Sequence, residues 1–210
     1  MTRITTTPTG VVPVVEIDDP GDAEPLVTAL LAGGVSTVEI TLRTDGALGA
    51  IRRVAAAPGV TVGAGTVLEP DQATAAAAAG ARFIVSPGLD EAVVERARAV
   101  GLLAVPGVAT ASELQLARKV GLRLVKIFPA KQLGGPDFVA ALSAPFPDML
   151  FMPSGGVDPD SAAAYAKVRV VAALGSGWIA PRNLIRAHEF DEITRRCSII
   201  RDLFEGGVRP

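Results

Sequence analysis

Four glycines, Gly59, Gly80, Gly101 and Gly121, recur at intervals of 21, 21 and 20 residues, and a short apolar run follows each of them directly. An alanine-rich or charged segment with helical character precedes each of the last three glycines, and a loop rich in Gly, Pro, Ser or Thr follows each apolar run. A glycine directly after a helix is the usual left-handed stop. The chain therefore repeats a unit of strand, loop, helix and glycine, which predicts parallel strands with both faces covered.

Eight apolar runs along the chain qualify as strands of this kind. They cover residues 11–15, 35–40, 60–62, 81–85, 102–105, 122–125, 149–152 and 170–174. Eight parallel strand–helix units close into a (β/α)8 TIM barrel of the α/β class with short loops, which is the predicted fold. An open doubly wound sheet would satisfy the same pattern, although no Gly-x-Gly-x-x-Gly fingerprint follows the first run.

The chain length predicts one domain. Its 210 residues suffice for a single substantial core, so we expect one barrel domain over residues 1–210. Residues 1–10 are expected to form an N-terminal helix or arm, and residues 191–210 a C-terminal helix and tail. The expected apolar side of that helix consists of Ile193, Ile199, Ile200 and Phe204.

Composition and charge exclude several functional classes. The net charge is −2 and no basic stripe occurs, so nucleic acid and anionic membranes are poor partners. The single cysteine, Cys197, excludes an intramolecular disulfide, and the single histidine, His188, excludes a multi-histidine metal site. We therefore expect no metal and no other cofactor. No apolar run approaches the roughly 20 residues of a membrane span, so a soluble cytoplasmic protein is predicted.

Two charged residues interrupt the apolar strands. Lys126 lies in Leu-Val-Lys-Ile-Phe, and Glu39 lies in Val-Glu-Ile-Thr. Burial disfavours the charged form of a lysine, and a neutral lysine is a nucleophile towards ketones. Because side chains alternate along a strand and barrel active sites lie at the carboxyl ends of strands, both residues are predicted to enter one central cavity. A structural ion pair is the alternative interpretation, since buried charges are usually paired.

Glycine-rich loops follow the seventh and eighth predicted strands, where barrel enzymes often bind phosphate. The first loop contains Ser154, Gly155 and Gly156, and the second contains Gly175 and Ser176. Backbone N–H groups in such loops can approach an oxyanion closely, so these residues are candidate substrate contacts.

Residues in the other loops have structural interpretations as well. Thr66 and Ser86 are candidates for capping the helices that follow them, because hydroxyl side chains accept from the free N–H groups of a first turn. Pro87 and Pro129 would on this interpretation only shape turns.

Six motifs stand in order along the chain, at residues 38–44 (VEITLRT), 63–68 (GAGTVL), 86–89 (SPGL), 106–110 (PGVAT), 126–130 (KIFPA) and 145–147 (PFP). Together they closely resemble the class I aldolases of 2-keto-3-deoxy-6-phosphogluconate (KDPG), a family that also acts on 4-hydroxy-2-oxoglutarate (KHG). The resemblance covers roughly residues 11 to 190. It implies a metal-free homotrimeric lyase that takes a small keto-acid substrate such as a sugar phosphate. The products would be pyruvate with glyceraldehyde 3-phosphate, or with glyoxylate from KHG.

The resemblance also implies roles at the matching positions. Lys126 would form a Schiff base with the substrate ketone, and Glu39 would move protons to and from the substrate. Arg43 and Thr66 would hold the carboxylate of the pyruvyl part, for which a guanidinium is a suitable bidentate partner. Two further residues would line the pocket around the pyruvyl part: Pro87 and Phe128.

The chain departs from the family pattern in both glycine-rich loops. Ser154 stands where relatives carry threonine, which retains the hydroxyl. The second loop reads Gly-Ser-Gly-Trp instead of Gly-Gly-Ser-Trp, so Gly177 occupies the position of a serine that contacts phosphate in relatives, and Ser176 lies one residue earlier. The displaced hydroxyl is expected to point elsewhere, which weakens the expected preference for a phosphorylated substrate.

Three other functions fit parts of the pattern. A 2-keto-3-deoxy-6-phosphogalactonate aldolase would use the same lysine chemistry with the opposite configuration at C4. A phosphate-binding barrel isomerase or synthase would use the two glycine-rich loops without an imine. A non-catalytic binding subunit would retain only the fold.

Overall fold

The computed structural model describes residues 7–207, and within them strands and helices mostly alternate. The strands are β1 (Gly10–Val15), β2 (Thr37–Thr41), β3 (Thr61–Gly65), β4 (Phe83–Val85), β5 (Leu103–Val105), β6 (Gly107–Val108), β7 (Leu124–Ile127), β8 (Leu150–Pro153) and β9 (Ala173–Ser176). The α-helices are α1 (Ala23–Ala32), α2 (Ala47–Ala56), α3 (Pro70–Ala78), α4 (Glu91–Ala99), α5 (Ala111–Lys119), α6 (Gly135–Ser143), α7 (Pro159–Ala166), α8 (Arg182–Arg186) and α9 (Phe190–Glu205). A single 3-10 turn, Pro20–Asp22, precedes α1.

The chain ends test the predicted terminal segments only in part. Residues 1–6 of the expected N-terminal arm lie outside the described residues, and β1 already begins at Gly10. The expected C-terminal helix is present as α9, whereas residues 208–210 of the expected tail also lie outside the described residues.

All registered strand pairs are parallel, and the strands form two sheets. One sheet has the order β5-β4-β3-β2-β1-β9, and the other has the order β6-β7-β8. Isolated bridges between Phe151 and Val171 and between Ser154 and Gly175 connect the two sheets on one side. On the other side only Pro106 separates β5 from β6, where a proline cannot donate a ladder hydrogen bond. The molecule therefore has an α/β fold with a curled parallel sheet.

The curl has two apolar layers. Its concave side holds a small buried cluster from six strands, namely Val12, Phe83, Val85, Val105, Leu124, Met152 and Ala173. The larger core lies between the convex side and the helices, and it includes Val125 and Ile127. Since side chains alternate along a strand, Lys126 must point to the concave side with Leu124. The alternation thus places a lysine inside the curl.

The four repeated glycines have the expected left-handed conformation, and Gly80, Gly101 and Gly121 directly follow the C-caps of α3, α4 and α5, whereas Gly59 lies two residues beyond the C-cap of α2. Gly59, Gly80, Gly101 and Gly121 have φ angles of 81°, 95°, 80° and 84°. After α3, α4 and α5, the residue that follows the glycine donates its N–H to a carbonyl five residues earlier. This is the long-range hydrogen bond of a Schellman motif. These bonds are Ala81 to Ala76, Leu102 to Ala97 and Leu122 to Ala117.

The same bonds explain why several strands begin later than predicted. Val35, Ala81 and Leu122 were expected in strands, but their N–H groups close the C-terminal turns of the preceding helices. β2 therefore begins at Thr37, β4 at Phe83 and β7 at Leu124. β9 also begins late, at Ala173, because Val171 bonds back to Val168 in a turn.

α9 buries a slightly different side from the one predicted. Ile193, Cys197, Ile200 and Phe204 are buried at helical spacing, whereas Ile199 is only half-buried. The prediction was wrong in omitting Cys197, a small apolar residue that packs where Gly33 leaves room. Across residues 7–207, no helix combines the length and the apolarity needed to cross a membrane.

Candidate active site

Lys126 and Glu39 face each other on the concave side of the curl. Lys126 lies in β7 and pairs with Gly107 and Met152, whereas Glu39 lies in β2 and pairs with Gly63. Both side chains are buried, and Lys126 Nζ lies 3.7 Å from Glu39 Oε1. The alternation of side chains along the two strands predicted this proximity.

The Glu39 carboxylate is buried without hydrogen bonds. Neither Oε1 nor Oε2 has a hydrogen-bond partner among residues 7–207, and 3.7 Å to Nζ exceeds a normal hydrogen-bond length. Burial raises the pKa of Glu39 above its ordinary value of 4.5, and the positive charge of Lys126 only partly opposes this shift. A buried carboxyl with an elevated pKa and free lone pairs is suited to taking up and releasing protons.

Gly65 makes room for Glu39. A Cβ atom at position 65 would lie 2.2 Å from Glu39 Oε1 and 2.7 Å from its Cγ, so only glycine permits this side-chain position. Gly63, two residues earlier in β3, accommodates the ring of Phe83 in the same way. Gly65 therefore leaves space for the Glu39 carboxylate, and Gly63 leaves space for the Phe83 ring.

Phe128 packs close to the lysine. The ring centroid of Phe128 lies 4.9 Å from Lys126 Nζ, and the Phe128–Pro129 peptide bond is cis. Gly155 also lies close to the Phe128 ring, since a Cβ atom at position 155 would lie 3.1 Å from Cδ2 and from Cε2 of Phe128. Phe128 thus connects the lysine with the first glycine-rich loop.

Arg43 lies beyond the end of β2 at the open mouth of the curl. Its side chain is 58% exposed, and Nη1 lies 2.8 Å from Oε1 of Glu16, a residue directly after β1. The partner Glu16 was absent from the candidate residues. A signal for it exists in the sequence, because Glu16 continues the alternation of Val12 and Val14 on the concave side.

The structure places Thr66 directly after β3 with a φ angle of 55°. This left-handed conformation is uncommon for a β-branched residue and is typical of functional loops. Thr66 does not cap α3, since the N-cap of that helix is Glu69 in a capping box with Gln72. The capping interpretation of Thr66 is therefore wrong.

Ser86 does not cap a helix either. Its hydroxyl donates to the carbonyl of Gly88, and Asp90 caps α4 by accepting from the Val93 N–H. Pro87 is exposed in this loop, and its carbonyl lies against Gly107, where a Cβ atom would approach to 2.1 Å. The loop after β4 is thereby held against β6 next to Lys126.

The two predicted glycine-rich loops meet at the carboxyl ends of β8 and β9, although Gly175 and Ser176 belong to β9 itself rather than to a loop after it. Gly155 and Gly156 have φ angles of 89° and 80°, and Ser154 forms a bridge with Gly175. A Cβ atom at position 175 would lie 2.8 Å from Ser154 Oγ, so the glycine permits this contact. The loops therefore lie side by side as expected for a shared ligand site.

The Ser176 hydroxyl points away from these loops into the protein. Ser176 is fully buried, and its Oγ donates to the carbonyl of Val157 at 2.9 Å. The inward position of this hydroxyl has a structural consequence, because Gly177, the residue after it, offers only its backbone. Any contact of this loop with an anion would use backbone N–H groups.

No group of three or more metal-ligating side chains occurs within the described part of the chain, residues 7–207. The described residues bring Lys126 and Glu39 together inside the curl, with Arg43 at its mouth and Thr66 directly after β3.

Comparisons with known proteins agree with this geometry. The family model "KDPG and KHG aldolase" matches residues 3–196. A KHG/KDPG aldolase of Escherichia coli (strain K12) is 39% identical over 197 residues, 93% of this chain and 91% of the relative. A 2-dehydro-3-deoxy-phosphogluconate aldolase of Pseudomonas aeruginosa is 41% identical over 186 residues, 88% of this chain and 84% of the relative.

Solved structures give the same result. A KDPG aldolase from Legionella pneumophila superimposes with a TM-score of 0.87 and 36% identity, covering 92% of this chain and 94% of the other. That crystal structure contains pyruvate captured at low pH as a covalent carbinolamine intermediate. The expectation drawn from the six motifs is confirmed: the chain belongs to the KDPG and KHG aldolase family and is a carbon–carbon lyase.

Proposed function

We propose that this chain cleaves KDPG to pyruvate and glyceraldehyde 3-phosphate through an imine on Lys126, and that it also cleaves KHG to pyruvate and glyoxylate. The buried Lys126–Glu39 pair carries this proposal. A pair that served only stability would have its carboxylate hydrogen-bonded, because an unsatisfied buried charge is costly. Both oxygens of Glu39 are left unsatisfied among residues 7–207, which favours a reactive pair over a structural one.

The reaction begins at Lys126. Neutral Nζ attacks the C2 carbonyl carbon of the substrate to give a carbinolamine, and loss of water leaves a protonated imine. Lys126 is buried beside the apolar concave cluster, so little water reaches the reacting nitrogen.

The imine then accepts the electrons of the breaking bond. Removal of the C4 hydroxyl proton forms the aldehyde carbonyl, the C3–C4 bond breaks, and its electron pair forms the C2–C3 double bond of an enamine. Protonation at C3 returns the imine, and addition of water releases pyruvate and restores Lys126.

Glu39 is the group that moves these protons. It lies next to Nζ, and its pKa is raised by burial towards the pH at which proton transfer is effective. Its free oxygens can accept a proton directly or through one water. Proton transfer of this kind typically contributes about 10²–10⁴-fold in rate.

The remaining roles concern substrate binding. Arg43 and Thr66 hold the carboxylate of the pyruvyl part, and Phe128 and Pro87 line the pocket around it. The position of Arg43 at the mouth and of Phe128 beside Nζ supports these assignments.

The distal end of the substrate would reach the two glycine-rich loops. Gly155 and Gly156 offer backbone N–H groups to the phosphate, with Ser154 supplying a hydroxyl nearby and Gly175 leaving room for it. Ser176 contributes only its backbone, since its hydroxyl is used by Val157. We expect phosphate to add less binding energy here than in relatives with a serine at the position of Gly177.

We also propose that the curled sheet is a closed (β/α)8 barrel and that residues 1–210 form one domain. The bridges between the β8 and β9 regions, and the single residue between β5 and β6, support closure of the ring. The resemblance to class I aldolases supports a homotrimer and a cytoplasmic location.

A cleavage assay with Lys126→Met tests the proposal. Methionine keeps the length of the side chain without a nucleophile, so pyruvate release from KDPG should be abolished. Glu39→Gln should lower turnover by about 10²–10⁴-fold. Lys119→Met, at the exposed end of α5, is the matched control and should retain full activity. Turnover that survives in Lys126→Met would contradict the imine mechanism and favour a barrel isomerase or synthase.

A further inference from the structure

Glu16 is a carboxylate at the mouth of the curl that the mechanism above does not use. It follows Val15, the last residue of β1, and its Oε1 lies 2.8 Å from Arg43 Nη1. Glu16 is three-quarters buried as a side chain, whereas Arg43 is more than half exposed. The acid is therefore the better fixed member of this ion pair.

Hydrogen bonds on both sides fix the backbones that carry the pair. The Thr41 hydroxyl donates to the carbonyl of Val15 at 3.2 Å, and the Thr44 hydroxyl donates to the carbonyl of Ile17. Glu16 lies between the two acceptors, and Arg43 lies between the two donors. The ends of β1 and β2 are thus joined on either side of the ion pair.

A second arginine, Arg182, contacts the other carboxylate oxygen of Glu16. Arg182 Nη1 lies 3.6 Å from Glu16 Oε2, and the same guanidinium forms two hydrogen bonds with Asp18. Asp18 is also bound by Arg186 at 2.7 Å. These two arginines belong to α8, which follows the second glycine-rich loop. Glu16 therefore connects Arg43 to the segment after that loop.

The contact with Glu16 leaves part of the Arg43 guanidinium available. Among residues 7–207, Glu16 is the acidic residue that contacts Arg43, and the Arg43 side chain remains 58% exposed. A carboxylate binds an arginine best through two parallel N–H groups. The exposed part of the guanidinium can therefore receive a substrate carboxylate while Glu16 contacts Nη1.

We propose that Glu16 is a positioning residue that orders Arg43 for the carboxylate of the keto-acid substrate. This inference rests on the proposed role of Arg43. An exposed arginine without such a contact would lose side-chain freedom when substrate binds, which weakens binding. Because Arg43 meets the carboxylate in both the ground state and the transition state, Glu16 affects substrate affinity more than turnover.

The test compares Glu16→Gln with the wild-type chain. Three quantities are measured: the pyruvate concentration that gives half-maximal borohydride inactivation, and KM and kcat for KDPG cleavage. We expect Glu16→Gln to raise the half-saturating pyruvate concentration and KM about threefold to tenfold, the range expected for ordering one long side chain. The value of kcat should change by less than about twofold.

Two further variants make the test specific. Glu24→Gln removes a surface acid on α1 whose Oε1 lies 3.3 Å from Nη1 of Arg53 on α2. This variant should leave all three quantities unchanged. In an Arg43→Gln background, Glu16→Gln should add no further increase, because the residue through which it acts is already absent. Thermal unfolding of each variant checks that the fold is retained.

The outcomes separate the two proposals. If Arg43→Gln alone leaves the half-saturating pyruvate concentration unchanged, the carboxylate role of Arg43 fails and this inference fails with it. If Arg43→Gln raises that concentration but Glu16→Gln leaves it unchanged or lowers it, only the positioning role is overturned. Equal effects of Glu16→Gln with and without Arg43 would overturn it as well.

Discussion

Glu39 combines complete burial with two unsatisfied oxygens, and this environment makes its protonation state dependent on the surrounding fold. Burial disfavours the Glu39 carboxylate and raises the pKa of Glu39. The positive charge of Lys126 lowers this pKa, but by less than burial raises it. Glu39 and Lys126 therefore lie close together in a small buried volume. This is the arrangement that a lysine nucleophile and its proton carrier require.

The raised pKa of Glu39 has a consequence for stability. In the unfolded chain the carboxyl ionises near its ordinary value of 4.5, whereas in the folded chain it keeps its proton to higher pH. Between these two pKa values the folded state binds more protons, so Glu39 makes the free energy of unfolding fall as pH rises through this window. Glu39→Gln removes the titrating group, so the variant lacks this fall. Its free energy of unfolding minus that of wild type should therefore increase with pH over the same window.

Urea unfolding of both proteins from pH 4.5 upwards measures this effect. The difference in free energy of unfolding between Glu39→Gln and wild type should be small at the acid end and should grow with pH. A difference that shrinks as pH rises would mean that the carboxylate is stabilised in the folded state, as in a structural ion pair.

At the residue scale, the sequence was sufficient for the reactive pair but not for the mouth. Lys126 and Glu39 interrupt apolar strands, so strand alternation alone brings them together. Arg43 lies two residues beyond Thr41, where β2 has ended and alternation no longer applies. Alternation along β1 indicates the concave side for Glu16, but its contact with Arg43 depends on the relative positions of two loops, which no local pattern contains.

At the scale of strands, the site depends on how closely β3 approaches β2. The two strands pair over their full length, Thr37–Thr41 with Thr61–Gly65. This pairing places Gly65 directly beside Thr41 and against the Glu39 carboxylate. Strands normally gain from β-branched or larger residues. Glycine here weakens the strand locally but leaves space for a charged side chain.

Gly65→Ala tests this arrangement. The new Cβ would lie 2.2 Å from Glu39 Oε1, so the carboxylate must move away from its place next to Lys126. We expect a loss of about 1–3 kcal/mol in the free energy of unfolding, as for other overpacked sites. Turnover of KDPG should fall by about 100-fold, the effect of displacing a catalytic group by roughly 1 Å.

Gly88→Ala is the matched control for this substitution. A Cβ atom at position 88 would meet no atom within 4 Å, and the residue lies in a loop at the same end of the sheet. Its activity should remain within about twofold of wild type. Unchanged turnover in Gly65→Ala would show that the position of Glu39 does not limit the reaction.

Helices and strands were predictable in kind, but the number of strands and the limits of both were not. Eight strands were predicted, whereas residues 7–207 contain nine, because Pro106 separates β5 from β6. Glycine spacing predicted the left-handed stops, and those stops are present at Gly80, Gly101 and Gly121. The apolar residues after each glycine were assigned to strands, although several of them still bond to the helix before them. Hydrophobicity does not distinguish a residue that closes a helix from one that begins a strand, since both are buried.

At the scale of the whole molecule, the curl turns separate motifs into one site. Glu39, Thr66, Pro87 and Lys126 lie in four different units of the chain, and parallel pairing brings the carboxyl ends of their strands to one edge. The chain belongs to the KDPG and KHG aldolase family over nearly its whole length. The hydroxyl of Ser176 points into the protein, and under the proposed function this affects the distal end of the substrate rather than the reacting carbons.

Mass spectrometry of the borohydride-reduced pyruvate adduct tests the central claim most directly. The chain has four lysines, so Lys119, Lys131 and Lys167 serve as internal controls in the same digest. We predict one reduced pyruvyl group per chain, on Lys126, and no modification of the other three. A folded protein whose Lys126 stays unmodified at saturating pyruvate would contradict the imine mechanism and leave the Lys126–Glu39 pair with a structural role.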